Sequence, residues 1–237
     1  MRVMAFASQK GGSGKTTLVG HIAVQAERAG AGPVAIIDTD PQGSLSDWWN
    51  VRQAQTPVFA QTFISRLVQD LQKMRDIGIQ ILIFDTPPAI TATIAQVIRV
   101  CDLVVIPTRP SPHDLRAAGA TVDLVENLDK SLVFVLNGAT PRARITAEAA
   151  IALSQHGTVA PVTIHNRTEF ASSMIDGRTV MEVPGNRRSV DEITQLWSYL
   201  ADRLDRCTRP REARSYPGLA APNRPLAAYN GPAKETA

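Results

Sequence analysis

The nine residues Gln9-Lys10-Gly11-Gly12-Ser13-Gly14-Lys15-Thr16-Thr17 constrain this chain more than any other feature. They follow an apolar run, Val3 to Ala7, and precede a segment, Thr16 to Arg28, whose Val19, Ile22, Ala23 and Ala26 recur at helical spacing. A glycine-rich turn between a strand and a helix aims its backbone N–H groups inward, and the helix start adds partial positive charge. The result is a cradle for polyphosphate. Lys15 is placed to reach the outer phosphates and the Thr16 hydroxyl to ligate Mg²⁺.

The first two hundred residues repeat the alternation seen around this loop. Apolar runs at Val34 to Ile37, Ile79 to Phe84, Leu103 to Ile106, Leu132 to Leu136 and Val159 to Ile164 are separated by helical patterns at Asp114 to Leu128, Thr146 to Ser154 and Val190 to Arg206. The runs are continuously apolar rather than alternating, as expected of strands covered on both faces. The fold class is therefore α/β: a mostly parallel twisted sheet flanked by helices on both faces.

The loop departs from the common G-x-x-x-x-G-K-[ST] pattern, since Gln9 stands at its first glycine position and a second lysine, Lys10, precedes the paired glycines. In this form it resembles the deviant Walker A motif of the ParA/MinD superfamily of P-loop ATPases. Two more segments match in order. Asp38-Thr39-Asp40-Pro41-Gln42-Gly43-Ser44 resembles the family's switch I, and Asp85-Thr86-Pro87-Pro88 resembles its Walker B aspartate with switch II. The resemblance implies ATP and Mg²⁺ as ligands, with Lys10, Gly11, Gly12, Ser13, Gly14, Lys15, Thr16 and Thr17 holding nucleotide. Thr16, Asp38 and Asp85 are implied around the metal. The implied catalytic set is Lys10, Lys15 and Asp40, with Asp40 orienting the attacking water and Lys10 reaching across a face-to-face homodimer to the partner's nucleotide.

A fourth stretch, Cys101 to Leu115 followed by Ala117-Ala118-Gly119, is similar to the small, ParF-like plasmid-partition branch, whose proline-rich segment lines the nucleotide and dimer contact. Pro110 is the implied contact, and the same stretch reads equally as a strand-to-helix loop capped by Ser111. Asn137, at the end of Leu132 to Leu136, matches a position used to read the adenine edge, or is a buried turn asparagine. The resemblance spans residues 2 to 206.

What the ATP switch acts on lies outside the loop. The resemblance implies nonspecific DNA binding by the ATP dimer through basic residues near the domain's end. Arg167, Arg178, Arg187 and Arg188 are the candidates, with Arg142 and Arg144 adjacent. Glu169, Asp176, Glu182, Asp191 and Glu192 are interspersed, so local ion pairing is the competing reading. A centromere-binding or cargo-adaptor protein is the implied partner that triggers hydrolysis, and the cargo is a plasmid, a chromosome, or a protein organelle or cluster. A regulator acting on a protein partner without DNA is a further alternative.

Charge and composition delimit these readings. Residues 1–206 hold 20 Lys+Arg against 20 Asp+Glu, so the surplus of +3 resides in 207–237. A neutral body restricts any polyanion surface to a local patch. The two cysteines, Cys101 and Cys207, have no metal-site or disulfide-framework spacing, and none of the four histidines sits at ligand spacing. No run reaches the length of a membrane span, and the segment 207–237 lacks the apolar stripe of a membrane-inserting helix. The expectation is a cytoplasmic, nucleoid-associated protein with a P-loop domain over 1–206. With five prolines and seven alanines, 207–237 reads as a disordered basic tail.

Overall fold

The computed structural model describes residues 1–208 of the 237; the tail expectation falls almost wholly outside the described residues. The chain runs β1 (Arg2–Phe6), α1 (Lys15–Arg28), β2 (Val34–Asp38), α2 (Ser44–Asn50), β3 (Val58–Phe59), a 3₁₀ turn (Ile64–Arg66), α3 (Leu67–Asp76), β4 (Ile81–Asp85), α4 (Ala92–Val100), β5 (Leu103–Thr108), α5 (Pro112–Asn127), β6 (Ser131–Ala139), α6 (Arg144–Ser154), β7 (Thr158–Val159), β8 (Ile164–His165), α7 (Thr168–Ser172) and α8 (Arg187–Thr208). The strands form one parallel sheet in the order β3-β2-β4-β1-β5-β6-β7, with β8 also on β6.

Side chains of period two divide the strands between two layers. Met4, Phe6, Ile36, Ile81, Ile83, Val105 and Val135 face α1, α2 and α8, packing on Leu18, Ile22, Trp48, Ile193 and Leu200. On the other face, Val104, Ile106 and Phe134 meet α4, α5 and α6, while Val3, Ala5, Ile37, Leu82 and Phe84 meet α3. Burial on both faces explains the uninterrupted apolar runs. The apolar stripe of α8, from Ile193 through Leu196, Trp197, Leu200 and Leu204, is fully used against this core.

The run expected at Val159 to Ile164 is two short strands, because Pro161 has no N–H for the ladder. Helices α2, α3, α4 and α7 and strand β3 go beyond the expected elements. Ser111 does cap α5, its hydroxyl accepting from the Asp114 N–H at 3.2 Å.

Central β1 lies between β4 and β5, and the chain leaves β1 toward β2 on one side and leaves the adjacent β5 toward β6 on the other. The crevice at such a switch point, beyond the carboxyl ends of the strands, is where open α/β sheets bind ligands. Register puts the key groups on that edge: Phe6, after which the glycine loop begins, is level with Asp85, and Asp85 is level with Asp38.

Candidate functional site

The glycine-rich loop occupies residues 9–14 between β1 and α1. Gly12 and Gly14 have φ of +73° and +94°, left-handed values that side-chain-bearing residues rarely adopt. Lys15 is buried, and its Nζ donates back to the carbonyls of Ser8 (3.3 Å) and Lys10 (3.5 Å), closing a ring across the loop. Burial lowers its pKa against the opposing pull of Asp85 and Asp40. Lys10 contrasts with it. Its main chain is tied down, the N–H donating to Ser8 Oγ, while its side chain is exposed, with no hydrogen bond or ion pair among the described residues.

Asp85 ends β4 at the base of the cradle. Thr16 Oγ1 donates to its Oδ2 at 2.5 Å, whereas Oδ1 is buried without a partner, as is Ser13 Oγ. Burial pushes the Asp85 carboxyl up to about 7, reinforced by Asp38 and Asp40 and opposed by the Thr16 hydrogen bond and Lys15. A hydroxyl beside an orphaned buried carboxylate oxygen is a donor set that suits Mg²⁺, a cation usually held by few protein oxygens together with water and phosphate. Among the described residues no group of three or more His, Cys, Asp or Glu could hold a metal.

Asp38 is engaged elsewhere. Its Oδ1 accepts from the Asp40 N–H (3.0 Å) and its Oδ2 from the Leu45 and Ser46 N–H groups (3.1 and 3.0 Å) and the Ser46 hydroxyl (3.1 Å). It thus orders the loop 39–43 and caps α2, and it acts on Asp85 through its charge. Asp40 is partly exposed, held by an Asx turn to the Gln42 N–H at 3.0 Å. Thr39 ties the segment after β2 to the end of β4, its N–H and hydroxyl both donating to the Asp85 carbonyl at 2.9 and 2.7 Å.

Asn137 donates from Nδ2 to the Ser13 carbonyl at 2.7 Å, so its amide buttresses the loop from β6. Pro110 lies between β5 and the capped start of α5 on the same edge. Arg109, which the sequence gives no reason to single out, is exposed beside the loop: a β-carbon on Gly12 would lie 4.0 Å from its Nη2. Arginine after a strand carries no spacing signature, so only the fold exposes its position.

The arginine set separates into two kinds. Arg167 is three-quarters or more buried and donates to Glu192 at 2.8 Å, and Arg178 pairs with Asp176 at 2.6 Å. Arg144 pairs with Glu148 at 2.8 Å. Arg187 and Arg188 are exposed at the first turn of α8, with no carboxylate partner among the described residues.

The fold and this edge define a P-loop nucleotide-binding protein with a second lysine in the loop. A model of the CobQ/CobB/MinD/ParA nucleotide binding domain matches residues 4–180, and the chain belongs to that family. It is 31% identical over 205 residues to the maintenance of carboxysome distribution protein A of Halothiobacillus neapolitanus, covering 81% of this chain and 93% of that protein. It is also 28% identical over 134 residues to protein ParA of Rhizobium radiobacter, covering 56% and 60% of the two chains. The fold resembles that of a ParA family ATPase from Chlorobium tepidum TLS (TM-score 0.69, 20% identity, covering 84% of this chain and 99% of that one). It also resembles Cyanthece apo McdA (TM-score 0.70, 15% identity, covering 86% and 99%). No helix among the described residues is long and apolar enough to cross a membrane.

Proposed function

We propose that this chain is an ATP-driven positioning switch. ATP fills the cradle formed by Lys10, Gly11, Gly12, Ser13, Gly14, Lys15, Thr16 and Thr17, with Mg²⁺ at Thr16 and Asp85. Two chains then close face to face, and each Lys10 completes the other's site. Mg²⁺ supplies charge neutralisation of the phosphates. Asp40 orients a water whose oxygen attacks the γ-phosphorus, releasing ADP and inorganic phosphate. Turnover is slow until a cargo-bound partner protein stimulates it.

The observation that carries this reading is the contrast between the two loop lysines: Lys15 is turned into its own loop, while the Lys10 amino group stands exposed and unengaged among the described residues. A free cation at the rim of a phosphate site suits a second molecule.

The dimer binds DNA without sequence preference, and in the cytoplasm this holds it on the nucleoid. Arg187 and Arg188 support that output. They sit at the positive end of a 22-residue helix, where the dipole disfavours cations. Helix stability gives no reason for them, whereas phosphate contact does. Arg178 and Arg167 contribute less, since each is already paired with a carboxylate. The cargo is a protein assembly, favoured over a plasmid because the carboxysome-distribution relative matches along 93% of its length and the ParA of Rhizobium radiobacter along 60%.

The test is binding to random-sequence duplex DNA with ATP, with ADP, and with ATP and Lys10→Ala. Binding with ATP alone that weakens with salt and disappears in the variant is the expected result. ATP-dependent dimers that ignore DNA would replace this output with a switch acting on a protein partner.

A further inference from the structure

Arg109 emerges directly from β5, and its backbone is held by its neighbours. The Ser111 N–H donates to the Arg109 carbonyl at 2.7 Å, and Ser111 in turn caps α5. Its side chain runs along the rim of the phosphate loop. A β-carbon at Gly138 would lie 3.6 Å from Nε and 3.7 Å from Cγ, and one at Gly12 would lie 4.0 Å from Nη2. The stem therefore rests over the end of β6 beside Asn137, and the charged tip lies at Gly12 of the glycine-rich loop. Neither glycine has a side chain to block the guanidinium, and φ of +73° and +66° disfavours any other residue at both positions.

Nothing among the described residues accounts for this placement. The Arg109 side chain has no hydrogen bond or ion pair among the described residues, although arginine holds five donors. We propose that Arg109 is a phosphate-binding residue of the nucleotide site, donating to the bound nucleotide's phosphates from the β6 side opposite Lys15. Direction decides between phosphate and base: the aliphatic stem lies toward Asn137, and the cationic tip lies at the loop. A planar guanidinium donates to two phosphate oxygens at once, which the ammonium of lysine cannot do. This inference rests on the reading of the loop as an ATP site.

The experiment measures affinities for ATP, ADP and adenosine by titration calorimetry in wild type, Arg109→Ala, Arg109→Lys and Lys15→Ala, together with thermal unfolding of each without nucleotide. Expected are a loss of roughly tenfold or more for ATP and ADP in Arg109→Ala, partial recovery in Arg109→Lys, and unchanged unfolding without nucleotide. Unchanged ATP affinity in a folded Arg109→Ala protein overturns the inference, and so does an equal proportional loss for adenosine, which would mean base stacking. A lowered unfolding temperature without nucleotide also overturns it, because the residue would then be structural. If wild type and Lys15→Ala fail alike to bind ATP, the reading of the site itself fails instead.

Discussion

Arg52 and Glu182, 130 residues apart in sequence, meet in a two-pronged ion pair, with Nη1 and Nη2 donating to Oε2 and Oε1 at 3.0 and 2.7 Å. The same guanidinium lies over the Trp48 ring, 5.3 Å from its centroid, and donates to the Gly177 carbonyl at 2.7 Å. Trp48 Nε1 donates to the Arg178 carbonyl at 3.1 Å. The helix that Asp38 caps is thereby fastened to the segment that carries Arg178. Arg52 is 3% exposed and Glu182 20%, so truncating the arginine strands a shielded carboxylate. Arg52→Ala is expected to lower unfolding free energy by about 3 kcal/mol at neutral pH, measured by urea denaturation.

Gly177 admits no side chain. Its φ is +77°, and a β-carbon would lie 2.3 Å from Arg52 Cα, a backbone atom that cannot turn aside. Gly177→Ala should destabilise the fold by well over about 1 kcal/mol, read as a fall in melting temperature, with Gly30→Ala as a control whose φ of +73° is close to it and which meets nothing nearby.

The phosphate loop has its own steric lock. A β-carbon on Gly14, φ +94°, would lie 2.1 Å from Asn137 Nδ2, the amide that holds the Ser13 carbonyl. Gly14→Ala is expected to abolish ATP binding in a titration. Asn137→Ala, which frees that carbonyl, is expected to weaken it by roughly tenfold.

His21 makes stability depend on pH. Val180 N–H donates to its Nε2 at 3.3 Å, so the ring proton sits on Nδ1, 2.7 Å from the Thr17 carbonyl. Burial depresses its pKa from 6.5 to about 4, against opposing contributions from the Thr17 hydrogen bond and Glu182. Below pH 6.5 the unfolded chain takes up a proton that the folded chain refuses. Stability is therefore full above about pH 6.5 and declines as pH falls toward 4, by at most about 3 kcal/mol from this residue. Asp85, raised to about 7 in the fold, contributes in the opposite direction over the same range, so the measurement is a difference: the stability of wild type relative to His21→Gln should fall between pH 7.5 and 5.

The two loop lysines should separate in function. Lys15→Ala is expected to lose nucleotide binding, whereas Lys10→Ala keeps it and loses ATP-dependent dimerisation by size-exclusion chromatography. Asp40→Ala should dimerise with ATP yet release phosphate roughly a hundredfold more slowly.

The strand, glycine-rich turn and helix were legible because they are local: strand, glycines, lysine and threonine are contiguous, and the turn needs the left-handed φ that Gly12 and Gly14 adopt. The parallel α/β sheet was legible for a related reason, since burial on both faces leaves uninterrupted apolar runs such as Ile81–Phe84. Asp85 came only from the resemblance of Asp85-Thr86-Pro87-Pro88 to a Walker B segment, since an aspartate at a strand's end is as often a turn residue. Spacing says nothing, however, about partners far apart in the chain. Only the folded chain engages the Asp38 oxygens at the start of α2, aims the Asn137 amide at the Ser13 carbonyl and lays Arg109 along Gly12. The same holds for the arginines near the domain's end, which are alike in sequence. Arg167 and Arg178 are neutralised by carboxylates, and Arg187 and Arg188 are left exposed on α8, because charge pairing is decided by distance in space.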